Sequence, residues 1–533
     1  MVRMWKTDPT LPPPSPPPGY GKGEYVLPIH ETKPLEVAHP HERDKQIVFH
    51  EKPHVYVVRD TPCEVSVTGI VSPFCEEFDE EEAIRKMKVS RREVWPKLKY
   101  AVGAKCEEGE EAQSTSCNFL CVDSSGKTLG KGSTPSEAKG MASKKRKRGE
   151  EEEECTLYSY ERPMTDQEIL DEWDRNREEA ANRGTEAHYQ LELWMNSLPC
   201  REDAVEVKNG LSFIMDQLAP IGFKPYRTEW EIFSDEEQVA GSIDLVGTAP
   251  DPAFKEALLS ALPSSAPDSL KRSILSLSGY DLRDACGEWM DYSLGERTTT
   301  SSSETGVIGE AIRLIEEGWI DADRIERVND LCGMKLVVVD WKRAKSHEIH
   351  TQYDKKMRNP LQHLDDTSIS KYAIQLSIYT YILEKRMGYS VLCLCLAGVH
   401  PDHPFHTWVP YLRREVDFLM TARQKRIQAK ECVRSKAMHH HLLHRCPISK
   451  DIAWNPVREE GGGETVYDKT YACLEFPNKT FVQDKASLLQ VEDALSSSQD
   501  PPPSRIEGSL PWKTIMPPLG HRDWIHKDVF REL

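Results

Sequence analysis

The sequence predicts a mixed α/β protein with an αβββαβ core, a central mixed sheet flanked by helices, and three observations lead there. Tyr226 to Phe233, Val239 to Thr248 and Lys335 to Lys342 are strand-like runs, the last two strongly apolar. Lys371 to Arg386 carries Ile374, Ile378 and Ile382 at helical spacing, and the apolar run Ser390 to Val399 follows at strand length. Ahead of all of these, MTDQEILDEWDRNREEAANRGTEAHYQLELWMN has the polarity and opening signals of helix.

Taken in order, residues 1–46 are proline-rich and read as a flexible tail without visible chemistry. Residues 47–103 begin with IVFHEKPHVYVVRDTPCEVSVTGIV, a hairpin about a turn at Asp60 to Pro62 that leads into a helix. Residues 104–160 turn to Gly, Ser, Glu and Lys with few aromatics, the composition of a disordered acidic and basic insertion without a core of its own. Residues 161–248 form the first part of the core. Thr165 stands three residues before Glu168, the spacing of a capping box, and a second helix is expected after Gly184.

Residues 249–333 separate two strands by far more than a hairpin needs and are an insertion, a small helical subdomain being one form it can take; they include the run Thr298 to Ser303. Residues 334–432 supply the second part of the core and a further helix, Glu415 to Lys430. Residues 433–533 are an extension with Gly461 to Gly463, a hairpin expected around Val466 to Val482, and the proline-rich Asp500 to Ser504.

Hydrophobic residues make up 38% of the 533-residue chain, enough for a substantial core diluted by polar segments. No apolar run approaches the roughly 20 residues of a bilayer span, and the N-terminus has no apolar signal core, so a soluble intracellular protein with no membrane partner is expected. The fourteen cysteines lack zinc-binding spacing and are expected to be reduced thiols, Cys393 and Cys395 serving as small hydrophobes in a strand. His439, His440, His441, His444 and Cys446 form one tract without the second ligand pair of a zinc site.

The net charge of −18 excludes a protein coated in basic surface but leaves room for a local basic groove. One basic group spans Arg85, Lys86, Lys88, Arg91, Arg92, Lys97 and Lys99, and another Arg413, Arg414, Arg423, Lys425, Arg426 and Lys430. Each is either a solvated face or a contact for nucleic acid. Lys144 to Arg148, KKRKR, has the form read by nuclear import receptors, against the alternative of a linker balanced by the glutamates after it.

The residues that carry chemistry are charges set in apolar strands. Asp244 interrupts GSIDLVG, and Asp340 and Lys342 end LVVVDWKRA. Positions i and i+2 of a strand share a face, so Asp340 and Lys342 project together while Trp341 packs behind. Two carboxylates and a lysine converging at low dielectric need a cation or a phosphate to balance them, and the plain alternative is a structural ion pair at a strand end. His188 and Glu192 lie four apart on one helix face, as do Gln375 and Tyr379 on another.

GT-x-x-H-x-x-x-E, G-x-x-D-L-V, D-W-K and Q-L-x-x-Y occur in that order at Gly184, Gly241, Asp340 and Gln375. In order and setting these motifs resemble those of the RecB-like branch of the PD-(D/E)XK nucleases, and the lead-in ending SVTGIV resembles phage-type and mitochondrial genome maintenance exonucleases. The resemblance covers roughly residues 47 to 100 and 160 to 430. It implies a restriction-endonuclease-like core and a Mg²⁺- or Mn²⁺-dependent hydrolase of DNA phosphodiester bonds. By it, His188, Asp244, Asp340 and the Trp341 carbonyl are metal ligands, Lys342 orients water and stabilises developing charge, and Gln375 and Tyr379 shape the site. Glu192 and Glu229 would support the ligand shell.

The chain departs from many relatives in having Asp rather than Glu at position 340 and in its two large insertions. It also lacks the cysteines that bind an iron–sulfur cluster in some relatives, and it has no nucleotide-binding P-loop, so unwinding would fall to a helicase or another replication or repair partner. Against an exonuclease stand an endonuclease or ribonuclease on the same scaffold and an inactive nucleic-acid binding protein that kept the fold.

Overall fold

The apolar runs assemble because each has two faces to bury. In a computed structural model describing residues 34–497, apart from internal stretches of which the longest are 107–117, 146–155, 295–305, 346–354 and 436–442, the chain is mixed α/β and divides into two compact units. One comprises residues 1–76 and 184–533, the other residues 77–183.

The larger unit is built on a six-stranded sheet of β1 (Val65–Ser66), β2 (Lys224–Ser234), β3 (Val239–Pro250), β4 (Met334–Lys342), β5 (Val391–Gly398) and β6 (Phe405–Val409). Its order is β2-β3-β4-β5-β6, with β1 on β3. β2, β3 and β4 pair antiparallel, β4 and β5 parallel, β5 and β6 antiparallel, so the sheet is mixed as predicted. Both faces are covered. α1 (Val67–Val71), α4 (Ser368–Met387) and α5 (Arg413–Ser435) share one core with Val338, Leu394 and Leu396. The end of α2 (Asp166–Met195) and α3 (Val205–Phe213) share the other with Val337, Val339 and Trp341. Ile374, Ile378 and Ile382 are wholly buried, each contributing about 2 kcal/mol that fixes α4 on the sheet.

Several expectations need correcting. Pro34 to Gln46 is not tail: Leu35 is buried and its N–H donates to Asn196 Oδ1, while Asp44 accepts from Arg227 and from the Trp230 indole. The lead-in has three strands, Ile47–His50, Val55–Val58 and Thr61–Pro62, with turns before Val55 and at Arg59 and Asp60. No second helix starts at Gly184. α2 runs through it, because one glycine costs a helix only about 1 kcal/mol while the expected capping box anchors the start. The insertion after β3 does form helices, with a core around Phe254 and Trp289. The hairpin expected around Val466 to Val482 is instead two strands, Tyr467–Asp468 and Phe481–Gln483, separated by helix Lys469–Glu475, and both pair with Pro456–Glu459.

In the smaller unit, the described residues of the segment 104–160 form regular structure where disorder is expected. Lys105–Cys106, Phe119–Val122, Thr128–Gly132 and Thr156–Ser159 form a four-stranded sheet against helix Pro135–Lys145. Its core is small: Phe119, Cys121, Ala138, Ala142 and Leu157. A Cβ on Gly130 would lie 2.2 Å from the Ala138 carbonyl oxygen, so the helix rests directly on strand backbone and needs little apolar bulk. Cys121 departs from the expected reduced thiols and is disulfide-bonded, whereas eleven other cysteines among the described residues are free. Apart from the backbone of Lys144 and Lys145, the KKRKR tract lies outside the described residues, as do His439 to His441, Thr298 to Ser303 and Asp500 to Ser504.

Candidate active site

β3 and β4 part where the charges stand. Their ladder runs from Pro250 and Met334 to Leu245 and Val339, and the next residues are Asp244 and Asp340. Across that point the facing of β3 changes phase: Val239, Ile243 and Val246 face one core, and Leu245 and Ala249 the other. The Trp341 N–H, turned toward β3, donates to Asp244 Oδ2 at 2.8 Å. The indole packs in the opposite core, edge-on to Phe213.

Asp340 and Lys342 share a face as expected, with Lys342 Nζ 2.5 Å from Asp340 Oδ2. Lys342 also lies 4.8 Å from the centre of the Tyr372 ring, so that ring serves the lysine rather than standing free for a base. Asp340 is 3% exposed, and its Oδ2, close to the ammonium, has no hydrogen bond of regular geometry. Burial, opposed by Lys342 and reinforced by Asp244, pushes its carboxyl up to about 6. Burial draws the Lys342 ammonium down, but Asp340 and Asp244 outweigh it and raise it above the ordinary lysine range.

α2 brings His188 to the strand ends, its Nδ1 3.5 Å from Asp244 Oδ2. Glu229 joins them: single donor atoms of His188, Glu229 and Asp244 all lie within 4.8 Å of one another. Thr228–Leu245 and Trp230–Ile243 are cross-strand pairs, which sets Glu229 opposite Asp244. Glu229 has φ +43°, a conformation that a non-glycine residue holds only when its surroundings impose it. Glu192, one turn beyond His188, is not in this cluster. Gln375 Nε2 donates to the Tyr379 hydroxyl at 3.3 Å, and Tyr379 is buried against Gly241, where a Cβ would lie 2.7 Å from the ring. Burial raises the Tyr379 phenol well above its usual range, Asp340 and Asp244 being among the neighbouring charges.

The basic groups are largely committed to carboxylates of the protein itself. Arg423 and Lys430 bind Glu64, Arg426 binds Glu492 and Arg413 binds Glu384, so much of the second group holds α5 in place. In the first group Arg85 and Lys86 pair with Glu82 and Lys88 with Asp166. Cys395 is buried in β5 and Cys393 half-buried there, and loss of solvation pushes the Cys393 thiol up to about 12. No helix among the described residues is long and apolar enough to cross a membrane. The chain matches no protein-family model, no curated protein and no solved structure.

Proposed function

We propose that this chain is a Mg²⁺- or Mn²⁺-dependent nuclease that hydrolyses DNA phosphodiester bonds, acting as an exonuclease. The observation that carries the reading is the convergence of His188, Asp244, Asp340 and Lys342 at the parting of two strands, with buried charge there incompletely paired. A structural ion pair would gain nothing from a second carboxylate beside it.

The residues fit a divalent cation. Three donors of oxygen and imidazole type already lie within 4.8 Å of one another, and the Asp340 carboxylate beside them has an oxygen without a regular hydrogen bond. Mostly oxygen with one imidazole suits Mg²⁺ and Mn²⁺ better than a thiolate-seeking metal. His188, Asp244, Asp340 and the Trp341 carbonyl would hold it, with Glu229 beside them. When bound, such an ion polarises the phosphate and lowers the pKa of a water.

The protein's own residues then do the rest. Lys342, held between Asp340 and the Tyr372 ring, places a fixed positive charge where the pentavalent phosphate gathers negative charge. Lys342 would also orient the attacking water, while Asp340 is among the groups that would hold the metal. Trp341 N–H fixes the Asp244 carboxylate, and Tyr379 with Gln375 closes the floor against Gly241.

The test is incubation of end-labelled linear and covalently closed circular DNA with Mg²⁺, Mn²⁺ or chelator. Metal-dependent loss of linear DNA with circles spared is expected, and binding without cleavage under every metal would favour the inactive binding protein. Import to the nucleus through Lys144 to Arg148 belongs to the same proposal, and an unchanged distribution of a tagged protein after alanine replacement of that run would end it.

A further inference from the structure

β4 and β5 are neighbouring parallel strands, and they leave the sheet side by side just beyond the site. Lys342 pairs with Gly398, and Val399 N–H donates to the Lys342 carbonyl at 2.9 Å. Outside the carboxyl ends of adjacent parallel strands an open α/β sheet has a crevice, the usual place for a ligand. Here the two emerging segments carry Arg343 and Lys345 on one side, and His400 and His403 on the other.

Both segments are braced by one helix. On α3, Glu206 and Asn209 are three apart and so share a face. Glu206 accepts from Arg343 Nε at 3.1 Å, and Asn209 Nδ2 donates to the His400 carbonyl at 3.0 Å. The His400 and His403 rings stack with centroids 5.5 Å apart, and His400 Nδ1 accepts from the Asp402 N–H, which leaves Nε2 to carry the ring proton of the neutral form. His403 and Asp402 are exposed, and Arg343 and Lys345 are half-buried. Burial, with Arg343 first among the cations that add to it, lowers His400 below the usual histidine range, which marks the segments as electrostatic neighbours. The Cβ of Arg343 also lies close to Gly184, one turn from His188.

We propose that Arg343, Lys345, His400 and His403 form a seat for a backbone phosphate of the nucleic-acid strand, beside the bond to be cleaved. The inference rests on the nuclease reading for its ligand. The chemistry favours a phosphodiester over a carboxylate: the two adjoining strand exits carry guanidinium, ammonium and imidazole groups, and Arg343, which meets Glu206 through Nε, has a planar fork of further N–H donors. The counter-charges Glu206 and Asp402 keep the patch from being a general polyanion trap, in keeping with the negative net charge of the whole chain.

The test is fluorescence anisotropy of an end-labelled single-stranded oligodeoxynucleotide with the full chain in chelator, so that metal-dependent cleavage does not consume the probe. Replacing Lys345, His400 and His403 together by Gln should raise Kd about tenfold and lower the slope of log Kd against log salt by roughly 0.7 for each phosphate that the variant no longer neutralises. Asp402→Asn should move the other way and tighten binding about twofold, an effect that misfolding cannot imitate. Unchanged Kd and slope in both variants would overturn the seat. If wild type binds as described yet cleaves nothing with any metal, the nuclease reading fails and the seat stands; if wild type cleaves while both variants bind like wild type, the seat alone fails.

Discussion

Two buried carboxylates of the same sheet, Glu237 and Asp340, are treated in opposite ways. Glu237, at the turn between β2 and β3, has no exposure, and every oxygen is used: Oε1 accepts from Arg386, the Tyr381 hydroxyl and Gln424, and Oε2 from Arg386 and Ser234. Burial alone would raise its carboxyl, but Arg386 and Ser234 outweigh that and hold it below the usual range. Asp340 is almost as buried, yet it has a single close cation, a second carboxylate beside it and an oxygen without a regular hydrogen bond, and it sits up at about 6. A satisfied buried charge ties elements together, as Glu237 ties the turn to α4 and α5. A buried carboxylate that shares one cation with a second carboxylate is held at a cost to stability, and the proposed function would account for keeping it.

The largest expected break in the comparison is catalytic. Lys342→Ala should lower cleavage on the order of 10³-fold, by loss of charge stabilisation at the reacting phosphate, while the melting temperature stays close to wild type. Cleavage at the wild-type rate would remove Lys342 from the chemistry. Next is Glu237→Gln, which leaves Arg386 with only the more exposed Glu236 as its anionic partner and should cost about 3 kcal/mol in denaturant unfolding, with metal binding intact in the folded protein. A stability change near zero would show that the ligated carboxylate is dispensable and the contrast empty.

A smaller effect is expected at Glu229. Glu229→Gln keeps the shape and removes one anionic donor, and Mn²⁺ affinity by titration calorimetry should weaken about tenfold. Equal affinity would assign the strained backbone there a purely structural cause.

The smallest concerns Glu64, the satisfied counterpart between Lys430 and Arg423. Burial would raise it, but the two cations outweigh burial and hold it at about 2, from an ordinary 4.5. A depressed carboxylate stabilises the fold above its unfolded pKa and loses that contribution as pH falls through the folded one, so the window here is about pH 4.5 to 2. Because burial pushes Lys430 down and so offsets part of the gain, the loss should be only about 1 kcal/mol. Stability that falls equally in Glu64→Gln over that window would contradict the assignment.

Much of the sheet is legible in the sequence because burial on both faces writes itself into composition. β2 to β5 and α4 stand where apolar runs and 3.6-residue spacing put them, β6 carries no such signal, and Asp340 and Lys342 stand out as charges in an apolar strand. Glu229 carries little signal because it sits beside Glu231 in a run with ordinary polar alternation. Only the register of β2 on β3 sets it opposite Asp244. The four strands and helix among the described residues of the segment 104–160 are hidden for a different reason: a helix seated on glycine backbone buries little apolar area, so the composition resembles a linker. Asp44 is invisible to sequence reasoning because its partners, Arg227 and Trp230, are nearly two hundred residues away in the chain.

The claim that the Asp340 region is a reaction centre and not a structural ion pair is tested most directly by one variant measured two ways, Asp340→Asn by thermal melting and by cleavage of linear DNA. The account predicts that cleavage is lost while the melting temperature falls by no more than a few degrees, because the Asp340 carboxyl is already pushed up to about 6 and Asp244 remains near Lys342 as a counter-charge. A melting temperature lower by many degrees, with cleavage retained in the folded fraction, would contradict it.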